Sequence, residues 1–353
     1  MKKEKLFVFN IVTAFGNKGD LLINRALIEN LRDFGKVVVV TGHLPPNFLF
    51  DLELSEEEKC LTFGKCILRN MFRYTVYKVG IPGHSLDDEP RYFSGMKELL
   101  VTAVFKYIFR FKFLRVGTSL GPIHKFKLNI ERIKAKMYVL YGLRDNASVK
   151  MCSPSKMLYF PDLAFISPDI ASDIPKITDK NYCLLSFRAK FPDAEMSETY
   201  LSQVIVRLEE FLEKEGIKSI VIAYQVVEDK KTSMEIYSAL NKSKKFNIDF
   251  IDELLELKDS MRLISEASLV LSNRLHVLLP SLIAGVPHIA LTDVALHQKI
   301  SALYDTVGAK FVLHDINNPA EIVVAKENSP ENLKLISKNQ QELALDILKS
   351  KIN

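Results

Sequence analysis

Short apolar runs alternate along the chain with longer segments in which apolar residues recur at helical spacing. The runs 6–12 and 37–41 predict two strands, and Ile23, Leu27 and Leu31 between them predict one face of a helix. A strand, a helix and a second strand in this order are typical of a parallel pair joined by a crossover helix. The same alternation continues to the end of the chain, so we predict the α/β class. Further strands are predicted at 115–117, 138–143, 183–187, 219–223, 248–251, 268–271 and 288–291.

The length and one proline-rich segment predict two domains. A chain of 353 residues exceeds the usual size of one domain, and the segment 167–179, with two prolines and three aspartates, is the best linker candidate. We predict an amino-terminal α/β domain at 1–170, a carboxyl-terminal α/β domain at 180–329, and a helix at 330–353 that packs across both. Two doubly wound parallel-sheet domains facing a cleft are GT-B-like, an architecture that does not by itself select a reaction.

Composition and charge exclude several classes of protein. The net charge is only +5, so we expect no nucleic-acid partner. Four cysteines without CxxC spacing predict reduced thiols, and no His/Cys/Asp spacing is typical of a metal cage, so we expect no metal. No apolar run approaches the about 20 residues that span a bilayer, and the first apolar stretch is too short for a signal sequence. We therefore expect a cytoplasmic protein.

The turn at 14–20 lies between the first predicted strand and the first predicted helix. Gly16 and Gly19 allow a ligand to approach the backbone closely, and the start of the helix offers unpaired N–H groups to an anion. Its spacing matches neither the dinucleotide fingerprint nor the P-loop. The alternative role for Asp20 is to cap the helix.

Two further turns follow predicted strands of the first half. At 115–122, Ser119 and the backbone N–H groups could hold a sugar hydroxyl or a phosphate oxygen; the alternative is a tight structural turn. At 143–148, Arg144 and Asp145 could pair with each other or border the cleft at the carboxyl end of a strand.

The segment 269–287 carries the strongest chemical signal. An apolar strand leads to Ser272, Asn273, Arg274 and His276, and an apolar helix then ends at a glycine followed by proline. Arg274 offers a planar fork to a carboxylate or phosphate, and a histidine can exchange a proton near neutral pH. Residues two apart on a regular helix face nearly opposite directions. Both side chains therefore reach one ligand only if the chain stays extended before Pro280.

The motifs together resemble those of the polysaccharide pyruvyl transferase family, in the family's order and over residues about 10 to 295. They are Gly-Asn-Lys-Gly-Asp at 16–20, Gly-Thr-Ser-Leu-Gly-Pro at 117–122, Leu-Arg-Asp-Asn-Ala-Ser at 143–148, Pro-Asp at 161–162, Ser-Asn-Arg-Leu-His at 272–276 and Ala-Gly-Val-Pro at 284–287. The chain departs from the family where members have a glycine-rich strand end. The nearest equivalent here is 79–85, where the glycine pair is thinned.

The resemblance implies transfer of pyruvate from phosphoenolpyruvate, the co-substrate, to two hydroxyls of one sugar, forming a cyclic ketal and releasing phosphate without a further cofactor. Such chemistry needs a proton donor and an anion clamp. The resemblance places the acceptor on the amino-terminal domain, 1–170, and phosphoenolpyruvate on the carboxyl-terminal domain, 180–329, and we assign the residue roles accordingly. The catalytic residues are His276, Asp20 and Asp145; the donor-binding residues are Arg274, Arg188 and Asn273; and the acceptor-binding residues are Asn17, Ser119 and His84.

The acceptor implied by the resemblance is a sugar of a surface polysaccharide or of its lipid-linked precursor. At 105–113, aromatic and basic residues alternate. The segment is either a peripheral contact with the inner face of the membrane or a core helix that runs into a strand. Two alternatives to pyruvyl transfer stay open, namely a GT-B glycosyltransferase that uses a nucleotide sugar and a saccharide-binding protein of the family without catalysis.

Overall fold

The computed structural model describes residues 3–87, 89, 92–170, 181–189, 199–318 and 320–353. The chain divides into two compact units. Unit 1 contains residues 1–15, 20–168 and 341–353, and unit 2 contains residues 16–19 and 169–340. The predicted linker at 167–179 lies outside the described residues from position 171 onwards. Within the described ranges, no helix has both the length and the apolar character needed to cross a membrane.

Unit 1 is built on a parallel sheet in the order β3-β2-β1-β4-β6-β7-β8, with β5 also paired to β6. Its central strands are apolar on both faces, as in parallel sheets that helices cover on two sides. The chain order reverses between β1 and β4, so the sheet is doubly wound. The strands are β1 Lys5–Phe9, β2 Lys36–Val40, β3 Lys59–Cys60, β4 Thr75–Val79, β5 Gly83–Asp87, β6 Lys112–Ile123, β7 Leu140–Leu143 and β8 Leu158–Tyr159.

The helices of unit 1 cover this sheet. Apolar clusters fill the space between helices and sheet, one of them around Val8, Cys66 and Phe113 and another around Tyr141 and Cys152. The helices that begin in this part of the chain are α1 Lys18–Arg32, α2 Pro46–Asp51, α3 Phe63–Asn70, α4 Tyr92–Tyr107, α5 Lys125–Ala135 and α6 Asn146–Cys152.

Unit 2 repeats the doubly wound plan with a parallel sheet in the order β11-β10-β9-β12-β13-β14. The first strand, β9, lies beside the fourth, β12, so connections leave in opposite directions on either side of this pair. In such sheets, ligands bind at the carboxyl ends of the strands where the order reverses. The strands are β9 Cys183–Ser186, β10 Ser219–Ile222, β11 Asn247–Phe250, β12 Leu269–Ser272, β13 His288–Thr292 and β14 Leu313–Asp315.

A large apolar cluster on one face of this sheet is centred on Leu185, Ile222, Leu271 and Ile289, and buried apolar residues such as Val270 and Leu278 form the core on the other face. Helices pack on both faces of this sheet, as the crossover connections require. They are α7 Tyr200–Lys214, α8 Lys230–Lys242, α9 Leu257–Glu266, α10 Leu275–Ile283, α11 Gln298–Thr306 and α12 Pro330–Ile352. Helix α12 is divided between the two units: its residues up to 340 belong to unit 2, and its residues from 341 onwards belong to unit 1.

The aromatic and basic segment at 105–113 has two parts. Phe111 and Phe113 are buried in unit 1, as the core interpretation of the segment predicts. Tyr107, Ile108 and Phe109 instead face solvent at the end of α4. The segment is therefore part core and part exposed apolar surface.

Candidate active site

The polar segment Ser272–His276 leaves the carboxyl end of β12, beside β9, where the order of the unit 2 sheet reverses. The Ser272 hydroxyl donates to the carbonyl of Ser186 and accepts from the backbone N–H of Arg274, at 2.9 Å for the latter. These bonds join the ends of the two central strands and fix the direction in which the chain leaves β12. The predicted position of this segment at a strand end is confirmed.

Arg274 forms a buried ion pair with Asp229, which lies in the segment between β10 and α8. The arginine is 9% exposed, and its Nε has no hydrogen-bond partner within the described part of the chain. Burial raises the pKa of Asp229, against the opposing positive charges of Arg274 and Arg188. Leaving a buried donor unsatisfied costs about 1–3 kcal/mol, so this guanidinium is suited to an acceptor supplied by a ligand.

The backbone between Arg274 and Pro280 is only partly extended, so it meets in part the condition under which Arg274 and His276 can reach one ligand. Arg274 is extended (φ −104°, ψ 120°), whereas α10 begins at Leu275, earlier than a fully extended segment would allow. His276 interrupts the helical geometry with φ −88° and ψ 22°. Pro280 has no N–H to donate to the carbonyl of His276. The amide of Gln225 donates to that carbonyl instead, at 2.7 Å, and so stabilises the irregular first turn.

Gly19 lies against the imidazole of His276. A Cβ atom placed on Gly19 would be 2.1 Å from Nδ1 and 2.7 Å from Cβ of His276. Residues 16–19 belong to unit 2 by their contacts, so this approach lies within that unit. Gly19 of the 16–20 motif is thus required by His276 of the 272–276 motif, because no larger residue fits beside the ring.

Asn273 braces the chain that leaves β9. Its side-chain oxygen accepts from the N–H of Arg188, and its amide donates to the carbonyl of Arg188 and to the hydroxyl of Tyr200, all at 2.8–2.9 Å. Asn273 is 2% exposed, and both of its amide hydrogens are used in these bonds. This geometry gives Asn273 a role in positioning Arg188, and the predicted contact of Asn273 with the donor stays a prediction.

Sequence reasoning missed Asp229 and Gln225, which follow β10 and hold Arg274 and His276 from one side. Both residues come shortly after an apolar strand next to β9. Polar residues at the carboxyl end of a strand neighbouring the reversal are the signal that could have identified them.

Ser119 and Asp145, predicted for the acceptor and the chemistry, lie in a buried network of unit 1. Ser119 donates to Asp145 at 2.6 Å, and Arg144 donates to Ser119 at 2.8 Å and to Asp162 at 2.6 Å. Asp145 also accepts from the N–H and hydroxyl of Ser148, the former as the cap of α6. Arg144 therefore pairs with Asp162, and not with its neighbour Asp145. The roles predicted for Ser119 and Asp145 in catalysis stay predictions.

His84 lies beside Ser119 in the sheet, because β5 and β6 pair with these two residues in register. Its Nε2 hydrogen-bonds to the carbonyl of Gly121. His84 is half-buried and anchored to the β6 turn rather than exposed on a surface loop. Its contact with an acceptor is still a prediction.

At the start of α1, the cap is Asn17 and not Asp20. The Asn17 side chain accepts from the N–H of Gly19 at 3.0 Å, as an N-cap does. Asp20 is half-buried in the first turn and accepts from the hydroxyl of Thr13 at 2.5 Å. The alternative interpretation of Asp20 as the cap is wrong, since the preceding asparagine occupies that position.

The described residues contain no group of three or more His, Cys, Asp or Glu side chains that could hold a metal ion. The cysteines that the sequence predicts to be reduced thiols are free.

Comparison with known families decides the classification. The model of the family described as "Polysaccharide pyruvyl transferase" matches residues 17–293, a range that includes Gly19 of the α1 turn and the Ser272–His276 segment. The chain belongs to the polysaccharide pyruvyl transferase family. The resemblance found from the motifs is thereby confirmed. No curated protein sequence matched the chain.

Solved structures with the same fold include sugar-nucleotide enzymes. The UDP-GlcNAc 2-epimerase from Neisseria meningitidis, bound to UDP-GlcNAc, has a TM-score of 0.55 and 14% identity over 100% of this chain and 99% of that chain. The UDP-GlcNAc 2-epimerase from Methanocaldococcus jannaschii has a TM-score of 0.56 and 14% identity over 98% of this chain and 99% of that chain. The trehalose-phosphate synthase from Burkholderia vietnamiensis has a TM-score of 0.51 and 10% identity over 100% of this chain and 99% of that chain. These similarities confirm the GT-B-like fold of two parallel-sheet domains.

Proposed function

We propose that this member of the family transfers the pyruvyl group of phosphoenolpyruvate to two hydroxyls of one sugar, forming a cyclic ketal and releasing phosphate. The observation that supports the proposal most is that the buried Arg274, whose Nε has no hydrogen-bond partner among the described residues, lies two residues from His276 where the order of the unit 2 sheet reverses. The acceptor is a sugar of a polysaccharide or of its lipid-linked precursor.

Phosphoenolpyruvate carries a carboxylate and a phosphate, and each suits a guanidinium. Arg274 presents an Nε that has no partner among the described residues, and Arg188 is close enough to act electrostatically on Asp229. An arginine fork binds a carboxylate or phosphate through two parallel hydrogen bonds. Asp229 keeps the guanidinium of Arg274 compensated in the absence of the donor, so in this proposal the donor shares or displaces that contact.

The proposed reaction begins with proton transfer from the imidazolium of His276 to the methylene carbon of phosphoenolpyruvate. This step makes the methyl group and leaves positive charge at the adjacent carbon. One sugar hydroxyl adds to that carbon and loses its proton. The carbon–oxygen bond to phosphate then breaks with its electron pair on phosphate. The second hydroxyl adds and loses its proton, so the products are the ketal and inorganic phosphate.

On the acceptor side, we propose Asp20 rather than Asp145 as the carboxylate that receives a hydroxyl proton. Asp145 is 4% exposed and already accepts three hydrogen bonds within the Ser119 network. Asp20 is half-buried at the end of a ligand-type turn. Asn17 and His84 are the remaining candidates for contacts with sugar hydroxyls.

Calorimetric titration separates this proposal from a nucleotide-sugar enzyme without knowledge of the acceptor. Phosphoenolpyruvate should bind, and Arg274→Lys should weaken binding about tenfold or more, because an ammonium cannot form the bidentate fork. Binding of UDP-GlcNAc without binding of phosphoenolpyruvate would favour the nucleotide-sugar alternative.

A panel of p-nitrophenyl glycosides, incubated with phosphoenolpyruvate, then identifies the acceptor. We expect one phosphate released for each ketal methyl group seen in the NMR spectrum of the product. Tight binding of a saccharide without turnover across the panel would instead favour a non-catalytic member of the family.

A further inference from the structure

Helix α4 exposes a row of apolar side chains to solvent. Phe93, Leu100 and Tyr107, at seven-residue spacing, are 85%, 66% and 70% exposed. Residues seven apart lie on the same face of a helix. Gly95 and Thr102, on the opposite face, are buried, and Gly95 packs closely against Phe126 of α5. The apolar row therefore points away from unit 1, which is the reverse of the pattern of an ordinary surface helix.

Helix α3 and the turn after it extend this apolar area. Leu68 and Phe72 are 73% and 77% exposed. The two helices touch through an edge-to-face contact between Phe63 and Phe105, whose ring centroids are 6.0 Å apart. We call the combined area the α3–α4 surface, and its members are Leu68, Phe72, Phe93, Met96, Leu100 and Tyr107.

The charges carried by the two segments that form the α3–α4 surface are almost all positive. The segments 61–74 and 92–113 together contain seven Lys or Arg residues and one acidic residue, Glu98. Glu98 is compensated by ion pairs with Lys127 and Lys134. Lys106 and Arg110 lie at and just beyond the carboxyl end of α4, so positive charge is concentrated at that end of the helix.

We propose that the α3–α4 surface docks the protein onto a bilayer that contains anionic lipids. Aromatic and aliphatic side chains enter the boundary between headgroups and acyl chains, while Lys and Arg beside them attract anionic headgroups. A second copy of the chain is a poorer occupant. A two-fold interface places the same patch on both partners and would bring these positive charges together. The inference goes beyond the proposed function and does not depend on it.

Sedimentation with vesicles tests the proposal. The full chain is mixed with vesicles of 30% phosphatidylglycerol in phosphatidylcholine, and separately with pure phosphatidylcholine vesicles. We expect binding to the anionic vesicles that weakens as salt is raised. Phe93→Ser/Leu100→Ser should lower the partition coefficient about tenfold or more. Lys106→Glu/Arg110→Glu should lower it by a similar factor.

Matched controls come from exposed positions of unit 2. Val206→Ser/Leu335→Ser and Lys231→Glu/Lys242→Glu likewise replace two exposed apolar and two exposed basic residues and should sediment like the wild type. Thermal unfolding confirms that all variants are folded, as expected for changes at the surface. The proposal is overturned if the wild type stays in the supernatant, if both vesicle types bind equally, or if the α3–α4 variants match their controls. Self-association abolished by Phe93→Ser/Leu100→Ser, without vesicle binding, would assign the surface to a second copy instead.

Discussion

Replacing Gly19 by alanine tests the link between the first motif and His276. The added Cβ would lie 2.1 Å from Nδ1 of His276, while ordinary contact begins at 3.4 Å, so the ring would have to retreat by 1.3 Å. Ring rotation cannot relieve the overlap, because the Cβ of His276 is itself 2.7 Å away. The backbone at the start of α10 must therefore move.

The expected effect is on catalysis more than on stability. A displacement of about 1 Å of a catalytic group can lower the rate about 100-fold, equivalent to about 2.7 kcal/mol in the barrier. Alanine in place of glycine within a helix would otherwise stabilise the fold by about 0.5–1 kcal/mol. We expect Gly19→Ala to lower kcat about 100-fold while the protein remains folded by circular dichroism.

Gly16→Ala is the matched control, since a Cβ there meets no atom within 4 Å. Both variants are assayed by phosphate release with the acceptor identified in the glycoside panel. If Gly19→Ala turned over within about twofold of Gly16→Ala, His276 would not need its present position, and the reasoning would be refuted.

Four other changes probe the donor site and the two folded units. Arg274→Lys should raise the KM for phosphoenolpyruvate about tenfold or more in steady-state kinetics, and an unchanged KM would contradict the clamp. Asp229→Asn keeps a hydrogen-bond acceptor for Arg274 but removes the negative charge that repels the anionic donor. The KM for phosphoenolpyruvate should therefore fall, by about tenfold if the lost repulsion amounts to about 1.4 kcal/mol, and a higher KM would contradict this. Burial lowers the pKa of His288 to about 4, so only the unfolded state gains this proton between pH 6.5 and 4. Stability should fall by about 3 kcal/mol as pH drops through that window, and His288→Asn should remove this part of the slope in urea unfolding. Arg144→Met leaves the buried Asp162 uncompensated and should cost about 3–5 kcal/mol, which the added change Asp162→Leu should largely restore.

Much of the fold could be predicted from periodicity, because buried parallel strands are continuous apolar runs. The predicted strands at 183–187, 219–223 and 288–291 lie within a residue of their observed bounds. The strand at 115–117 is much longer in the structure, Lys112–Ile123, since pairing with β5 and β7 extends it through its glycines. Two-residue strands such as Lys59–Cys60 carry no periodic signal and were not predicted.

The residues of the candidate site could be predicted from the sequence only where polar side chains come directly after an apolar strand. Arg274 and His276 stood out because an apolar strand leads straight to them. Asp229 and Gln225 come from a different strand, and only the pairing of β10 with β9 brings them beside β12. The burial of Ser119 and Asp145 was equally hidden, because it depends on Arg144 and Asp162 meeting in the folded chain. Local patterns identify strand ends, whereas the contacts between strand ends depend on sheet order.

The fate of the methylene carbon of the donor tests the central proposal most directly. Phosphoenolpyruvate labelled with ¹³C at that carbon is reacted with the identified acceptor in D₂O, and the product is examined by ¹³C NMR. Proton transfer from a solvent-exchanged His276 predicts a ketal methyl group carrying one deuterium, and His276→Gln should abolish this signal while the variant stays folded. A methyl group without deuterium, or an undiminished rate in His276→Gln, would contradict the assignment of His276 as the acid of a pyruvyl transferase.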